Sequence, residues 1–243
     1  MGKELLRVEG IESKDKKVKD ASFNIHEGEI LGIFGLSGSG RTELLETIYG
    51  FRKSVKGEVT LNGKRYHNRT PGKSIKNGMI LISEDRRGKA LIGNLTVREN
   101  IILSKLDEYA NKGIMDSRKE LNDTKEIIRT LDIKTKGTNQ MVSRLSGGNQ
   151  QKIVFAKALL TNPKIFLCDE PTQAVDIKTR EEIHNFLRQK AEEGNAIVFV
   201  TSDLKEMLEL VDNIQILTEG RTTKYVNNDN LTSEEVLSYC YNG

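Results

Sequence analysis

The strongest chemical signal in this sequence is a run of eight residues rich in glycine. The run consists of Gly35, Leu36, Ser37, Gly38, Ser39, Gly40, Arg41 and Thr42. A strand pattern precedes it and a helical pattern follows it. Glycines let backbone N–H groups approach phosphate oxygens closely, and a helix N-terminus favours anions. The pattern is that of a phosphate-binding P-loop, in which the hydroxyl of Thr42 is a candidate Mg²⁺ ligand.

Arg41 departs from that pattern, because lysine is expected at its position. It keeps the positive charge but replaces a compact ammonium with a wide, planar guanidinium. We therefore expect phosphate to bind, with an altered placement of the β- and γ-phosphates. The alternative interpretation, a glycine-rich turn without a ligand, is disfavoured by the strand before the run and the helix after it.

Two carboxylates, Asp169 and Glu170, follow a second apolar strand pattern at 165–168. Open α/β sheets place their ligand chemistry at such strand ends. We expect Asp169 to hold Mg²⁺, directly or through water, and Glu170 to orient or deprotonate an attacking water. Taken alone, these residues also fit a solvated strand end before a proline turn.

A third motif, Ser146-Gly147-Gly148, precedes another helical pattern. A serine N-cap followed by two glycines makes a second helix N-terminus that can receive phosphate. One P-loop needs only one such cradle, so the second indicates a nucleotide bound to a partner. An ordinary N-cap with a flexible entry is the alternative.

Alternating strand and helix patterns position these motifs and predict an α/β fold with parallel strands. Strands are expected at 29–35, 79–83, 165–168 and 196–200, and helices at 41–50 and 178–193. Apolar residues recur at helical spacing among charges at 116–132, which predicts a helical subdomain inserted into the core. Asn62-Gly63 predicts a hairpin turn, and Thr232 with Glu235 predicts a capping box.

Length and composition exclude several classes of protein. The 243 residues, with 36% apolar and 30% charged side chains, are typical of one soluble α/β domain. No apolar run of 18 or more residues is present, so no membrane span is expected. The net charge of +3 gives no argument for a nucleic-acid partner. Two distant cysteines and an N-terminus without a signal-peptide core predict reduced thiols and a cytoplasmic location.

The order of these motifs resembles the ATP-binding cassette family over nearly the whole chain. The matching features are the P-loop, the helical insertion, Leu-Ser-Gly-Gly at 145–148, Asp-Glu-Pro-Thr at 169–172, and Asp176 at the D-loop position. The resemblance implies a P-loop NTPase fold with a mixed sheet core, an antiparallel β subdomain and an inserted helical subdomain. Residues 1–85 and 146–243 would form the ATPase core, and residues 86–145 the helical and signature subdomain. ATP and Mg²⁺ are the implied ligands.

Three further segments, at 40–44, 83–87 and 148–152, resemble the second cassettes of bacterial importers for simple sugars such as ribose, galactose or xylose. One polypeptide carries two cassettes in that subgroup, so this chain is expected to be a fragment of a protein about twice as long. The implied partners are a second cassette, transmembrane permease subunits and, indirectly, a solute-binding protein. The implied location is the cytoplasmic face of the cell membrane.

Four nucleotide contacts that the family usually makes are altered in this sequence. Residues 12–17 offer no aromatic side chain to adenine, a stacking contact worth ~1–3 kcal/mol by analogy with nucleic-acid binding. Glu84 takes the glutamine-loop position, where its carboxylate could meet Mg²⁺. Ser202 takes the switch-histidine position, where its hydroxyl is short and cannot become cationic. Arg41 is the fourth change.

These changes concern the site on this chain's own P-loop, whereas the signature and Asp176 would face the partner's site. The resemblance therefore implies a degenerate site of its own and a signature that completes the partner's site. The standard Glu170 argues against complete loss of hydrolysis, although the isolated domain is expected to be weak or inactive.

The segment after Glu84 is expected to transmit closure to the permease, with Arg86, Arg87, Lys89, Leu91 and Ile92 near the contact. A solvated basic turn is the alternative. Two other functions stay open. A cassette acting on ribosomes or DNA usually shows a coiled-coil insertion or basic arms, which this sequence lacks. A regulatory module without turnover is favoured by Arg41 and Ser202 and opposed by Glu170. Nucleosides or another small solute are alternatives to sugar.

Overall fold

Strands and helices alternate along most of the chain in the computed structural model, which describes residues 2–85, 88, 90–111 and 114–241. The strands are β1 (Glu4–Ser13), β2 (Ala21–His26), β3 (Ile30–Phe34), β4 (Ser54–Leu61), β5 (Lys64–Arg65), β6 (Met79–Ile82), β7 (Ala110–Asn111), β8 (Ile114–Met115), β9 (Ile165–Asp169), β10 (Ala196–Val200), β11 (Asn213–Thr218) and β12 (Arg221–Asn227). The helices are α1 (Arg41–Tyr49), α2 (Pro71–Lys76), α3 (Val97–Ile102), α4 (Leu106–Tyr109), α5 (Ser117–Thr130), α6 (Gly147–Leu159), α7 (Ile177–Glu192), α8 (Leu204–Leu210) and α9 (Ser233–Tyr241).

Two larger sheets and one short hairpin organise these strands. The central sheet has the order β12-β11-β3-β10-β9-β6, and its neighbours are parallel except for the antiparallel β11–β12 pair. A second, antiparallel sheet has the order β2-β1-β4-β5. The predicted α/β class with parallel strands is confirmed, and so is the mixed sheet core with its antiparallel companion.

The central strands β3, β9 and β10 are buried along their whole length, as their continuous apolar sequences require. Successive residues of a strand point to opposite faces, so the sheet has a core on each side. On one face, Phe34, Phe166 and Phe199 pack with α6, α7 and α8. On the other face, Leu31 and Val198 pack with α1 and the second sheet.

The helices α3 to α5 lie between the two sequence blocks that build the central sheet. Thr96 and Glu99 form a capping box at α3, and the Asp116 side chain caps α5. Apolar residues of this region, such as Val97, Ile101 and Ile127, join the same core as α6. The boundaries at 86 and 145 stay a prediction.

Most local predictions agree with the structure. The strand at 196–200 has the predicted bounds, and α7 is displaced from its prediction by one residue. Asn62 and Gly63 both have positive φ, at 50° and 74°, as a hairpin turn between β4 and β5 requires. The Thr232 and Glu235 side chains cap each other's backbone N–H at the start of α9.

Both cysteines, Cys168 and Cys240, are buried free thiols. Over the ranges that the structure describes, no helix combines the length and the apolar character that a membrane crossing needs.

Replacement of Phe166 by alanine tests the packing of the central sheet. The ring is fully buried and meets the edge of Phe186 at a centroid distance of 6.3 Å. We expect the free energy of unfolding in denaturant to fall by about 3–5 kcal/mol, because a large cavity is left behind. Val55→Ala, at an exposed position of β4, is the control and should change this free energy by less than about 0.5 kcal/mol. Equal effects of the two substitutions would contradict this packing.

Candidate functional site

The glycines of the P-loop are required by its backbone. Gly38 and Gly40 have φ of 79° and 99°, a conformation that side chains with a Cβ rarely adopt. A Cβ added to Gly40 would lie 2.7 Å from the carbonyl oxygen of Lys17, and one added to Gly35 would overlap that of Leu217. The loop therefore fits between β3 and α1 only with glycine at these positions.

The N-terminus of α1 fits a phosphate. No side chain caps it among the described residues, so its first N–H groups keep their capacity to bind an anion. A Cβ added to Gly38 would meet nothing within 4 Å, which shows open space at the loop. The hydroxyl of Ser39 is buried and has no hydrogen-bond partner in the described part of the chain. Leu36 and Ser37 are exposed beside it.

Thr42 and Asp169 come together as predicted. The Thr42 hydroxyl donates to Oδ1 of Asp169 at 3.2 Å, and Asp169 is only 2% exposed. Burial is the main reason that the pKa of Asp169 is raised to about 7. The Glu84 and Glu170 carboxylates also raise this pKa, whereas the Thr42 hydrogen bond and the charge of Arg41 lower it. A divalent cation at this point would favour the ionised carboxylate.

Glu170 lies between two side chains that the sequence singled out. The Ser202 hydroxyl donates to its Oε2 at 3.3 Å, and Nη2 of Arg41 lies 4.0 Å from its Oε1. The other terminal nitrogen of Arg41 donates to the backbone carbonyl of Thr201 at 2.8 Å. Arg41 thus links the P-loop to the segment that follows β10.

Glu84 is exposed, and its Oε1 accepts a hydrogen bond from the Gln173 side chain at 3.0 Å. Its charge contributes to the raised pKa of Asp169, so the two carboxylates share one electrostatic environment. Within the described ranges, no cluster of three or more His, Cys, Asp or Glu side chains could hold a metal. Mg²⁺ sites on nucleotides need fewer protein ligands, because phosphates and waters supply the others. Thr42 and Asp169 fit such a site.

The signature motif forms a second, separate group. Ser146 is the N-cap of α6, and its hydroxyl accepts from the N–H and the side-chain amide of Asn149 at 3.4 and 2.9 Å. Gly147 begins the helix. A Cβ added to Gly148 would lie 2.5 Å from the Thr179 hydroxyl and 3.3 Å from a carboxylate oxygen of Asp176.

Asp176 is the N-cap of α7. It accepts from the Thr179 N–H at 2.9 Å and from the Thr179 hydroxyl at 3.0 Å, and these bonds lower its pKa. The starts of α6 and α7 therefore pack tightly against each other. The signature contacts Asn149, Asp176 and Thr179, none of which takes part in the P-loop contacts above.

The segment where the family places an aromatic residue is occupied by polar contacts. Asp15 accepts from the Ser13 hydroxyl at 2.6 Å and pairs with Arg52. Arg52 also binds Glu46 of α1 at 2.8 Å. Salt bridges and hydrogen bonds thus close the turn between β1 and β2.

The proposed coupling segment is only partly described. Arg86, Arg87 and Lys89 lie outside the described residues. Leu91 is 6% exposed and belongs to the core, so its expected place at a contact surface is wrong. Ile92 is 46% exposed and fits such a surface.

Sequence reasoning missed Thr201, Gln173 and Thr179. The roles of Gln173 and Thr179 depend on side chains brought together from distant elements, so no local motif marks them. Thr201 acts on Arg41 through its backbone carbonyl, which leaves no signal in the residue type. Its position beside Ser202 is the one sequence feature that could have drawn attention to it.

A P-loop over a buried aspartate, with a second glycine-rich helix start beside Asp176, is the arrangement of an ATP-binding cassette. A family profile described as ABC transporter matches residues 18–173, and the chain belongs to that family. An ATP-binding cassette solved as a dimer in a post-hydrolysis state with bound ADP and Pi superposes with a TM-score of 0.80. It is 26% identical and covers 93% of this chain and 100% of that chain.

Among curated proteins, the chain is similar to the ribose import ATP-binding protein RbsA of Geobacillus kaustophilus, with 38% identity over 98% of this chain and 48% of that protein. The galactose/methyl galactoside import ATP-binding protein MglA of Clostridium perfringens is 37% identical over 96% of this chain and 45% of that protein. The chain thus spans about half the length of these relatives.

The raised pKa of Asp169 predicts a stability difference that depends on pH. The folded protein keeps the Asp169 proton up to about pH 7, whereas the unfolded chain loses it near the ordinary pKa. Between those values the folded state holds more protons, so wild-type stability falls as pH rises. Asp169→Asn cannot titrate, so its thermal midpoint relative to wild type should rise from about pH 4 to about pH 7 and then stay level. The exposed Asp229→Asn is the control; a parallel response of the two variants would show that Asp169 is not protonated in the folded state.

Proposed function

We propose that this chain is the ATP-binding subunit that couples ATP binding and hydrolysis to uptake of a simple sugar through separate permease subunits. The observation that carries the proposal is the P-loop held over buried Asp169, with Glu170 beside it. The relatives named as ribose and galactose/methyl galactoside import ATP-binding proteins support the sugar. Nucleosides or another small solute are the alternative cargo.

The P-loop residues have distinct tasks in this proposal. Backbone N–H groups from Gly35 to Thr42 bind the phosphates, and Thr42 with Asp169 holds Mg²⁺, assisted by Glu84. Mg²⁺, when bound, neutralises phosphate charge. Glu170 orients the attacking water, and the Ser202 hydroxyl fixes the Glu170 carboxylate through the 3.3 Å bond.

We infer that the nucleotide site on this P-loop is degenerate. Arg41 replaces the compact ammonium of a lysine with a planar guanidinium, and Ser202 cannot supply the cation of a histidine. The signature is intact by comparison, with Ser146 as a helix cap and Gly148 packed on Asp176 and Thr179. This cassette would therefore complete a competent site on a partner cassette and keep its own site for slow turnover.

The partner cassette would be the other half of a longer polypeptide or a dimer mate, since the chain spans about half of its relatives. Residues 1–85 and 146–243 would form the ATPase core and 86–145 the helical subdomain. The assembly would lie at the cytoplasmic face of the membrane, with a solute-binding protein delivering the sugar on the other side.

A second candidate function is a regulatory cassette that binds nucleotide without hydrolysis. Arg41 in place of lysine and Ser202 in place of histidine favour it, whereas Glu170 opposes it. MgATP binding at this P-loop with no measurable turnover there would favour this function.

A cavity of ≈350 Å³ next to β6 supports a docking place for the permease. The residues that line it include Tyr49, Phe51, Ile75, Leu103 and Lys157. Lys157 Nζ donates to the carbonyl of Ala90 at 3.0 Å, and burial lowers its pKa. The groove joins the end of β6, and so the Glu84 segment, to the helical region.

Comparison of Arg41→Ala with Ser146→Ala in the full-length protein tests the division between the two sites. We expect Ser146→Ala to lower MgATP turnover at least about tenfold, the effect of one lost hydrogen bond to a charged phosphate, and Arg41→Ala to lower it less. Phosphate release in reconstituted membranes is the measurement, and the exposed Ser143→Ala is the control. A larger loss of turnover in Arg41→Ala than in Ser146→Ala would invert the assignment of the two sites. A full-length protein with no affinity for MgATP would contradict the proposed function.

Replacement of Phe51 tests the docking groove. This ring is 62% exposed at the groove rim. Phe51→Ala should reduce sugar uptake by about tenfold while ATP turnover persists, because an aromatic anchor of an interface is lost. Transport assays in vesicles measure this, with Leu237→Ala on α9 as the control. Uptake and turnover that fall together would argue against a coupling role.

A further inference from the structure

A buried carboxylate lies beneath the segment that follows β10. Glu206 of α8 is 2% exposed. Its Oε1 lies 2.7 Å from His184 Nε2 on α7, and its Oε2 accepts from the Thr201 hydroxyl at 2.7 Å. The Thr172 side chain, two residues after Glu170, also forms a hydrogen bond with the Glu206 carboxylate. One carboxylate thus joins α7, α8 and the ends of two central strands.

The surroundings of Glu206 favour its ionised form. Burial pushes its pKa up, but the hydrogen bonds from His184, Thr172 and Thr201 outweigh burial and hold the pKa below its usual value. Arg180 Nε lies 4.0 Å away, while its Nη1 pairs with Asp203 at 3.0 Å. A buried charge persists only when it is partnered, and here both oxygens are.

Thr201 connects this carboxylate to the P-loop. Its hydroxyl is fixed by Glu206, and its carbonyl accepts from Arg41 at 2.8 Å. Both groups belong to one residue that is 1% exposed, so the position of the carbonyl follows from the position of the hydroxyl. The carbonyl takes one of the five N–H donors of the guanidinium and orients the rest.

We propose that Glu206 and His184 are positioning residues for nucleotide binding: they hold Thr201 so that its carbonyl presents the Arg41 guanidinium to a phosphate at the P-loop. The inference rests on the proposed nucleotide site. A site binds phosphate more tightly when its long, flexible arginine is held in the binding orientation before the ligand arrives.

Calorimetric titration of the purified protein with MgATP tests the proposal. Glu206→Gln should weaken MgATP binding about tenfold, the scale of one hydrogen bond to a charged group. His184→Gln keeps a side-chain donor and should bind nearly as wild type, whereas His184→Phe should bind as weakly as Glu206→Gln. The exposed Glu209→Gln on the same helix is the control and should bind as wild type.

A double-mutant cycle separates positioning from a structural role. In an Arg41→Ala background, Glu206→Gln should leave MgATP affinity unchanged, while it lowers the thermal midpoint as much as it does beside Arg41. An equal loss of affinity in both backgrounds would overturn the proposal. Thr201→Val removes the hydroxyl but keeps the carbonyl, and it serves the same cycle if Glu206→Gln does not fold.

MgATP binding by the wild-type protein separates a failure of the proposed function from a failure of the positioning role. If wild-type protein binds no MgATP, the proposed function fails and this inference fails with it. If wild type binds and Glu206→Gln binds equally well, the positioning role alone is wrong.

Discussion

The parallel pairing of β3, β10 and β9 brings the carboxyl ends of these three strands to one edge of the sheet. The contacts of the P-loop group, which consists of Arg41, Thr42, Asp169, Glu170 and Ser202, depend on that register. Asp169 lies opposite Val200 in the β9–β10 pair, so Glu170 and Thr201 come directly after the ends of two neighbouring strands. The P-loop leaves β3 beside them. Arg41, Glu170 and Ser202 can therefore meet although they are far apart in the sequence. A slip by one residue would turn Asp169 to the opposite face of the sheet.

Two separate groups of candidate site residues lie in this fold. The P-loop group holds a buried aspartate, a guanidinium that reaches across to the next strand, and a serine in place of a switch histidine. The signature group keeps its cap, its two glycines and Asp176. In the function proposed above, the signature group would serve a partner's nucleotide. The Glu206 network adds a support for Arg41 that the motifs alone do not contain.

The sequence was sufficient for features that depend on neighbouring residues. Strand 196–200, the turn at Asn62-Gly63 and the cap at Thr232 were predictable because apolar runs, positive φ and side-chain caps act over a few residues. Contacts between distant elements were not predictable. The Arg41–Thr201 bond uses a backbone carbonyl, and the Glu206–His184 pair joins two helices that no local pattern relates. Leu91 was misplaced because an apolar residue beside charges fits a surface or a core equally well.

The contact between the starts of α6 and α7 also limits how this chain can change over evolutionary time. A methyl group at position 148 has no room while Thr179 keeps its hydroxyl against Asp176. Residues 148 and 179 therefore form a pair in which the fitness effect of one substitution depends on the other. A lineage that changed the helix start at Gly148 would first have to pass through a smaller residue at position 179. The start of α6 is in this sense preserved by its contact with α7.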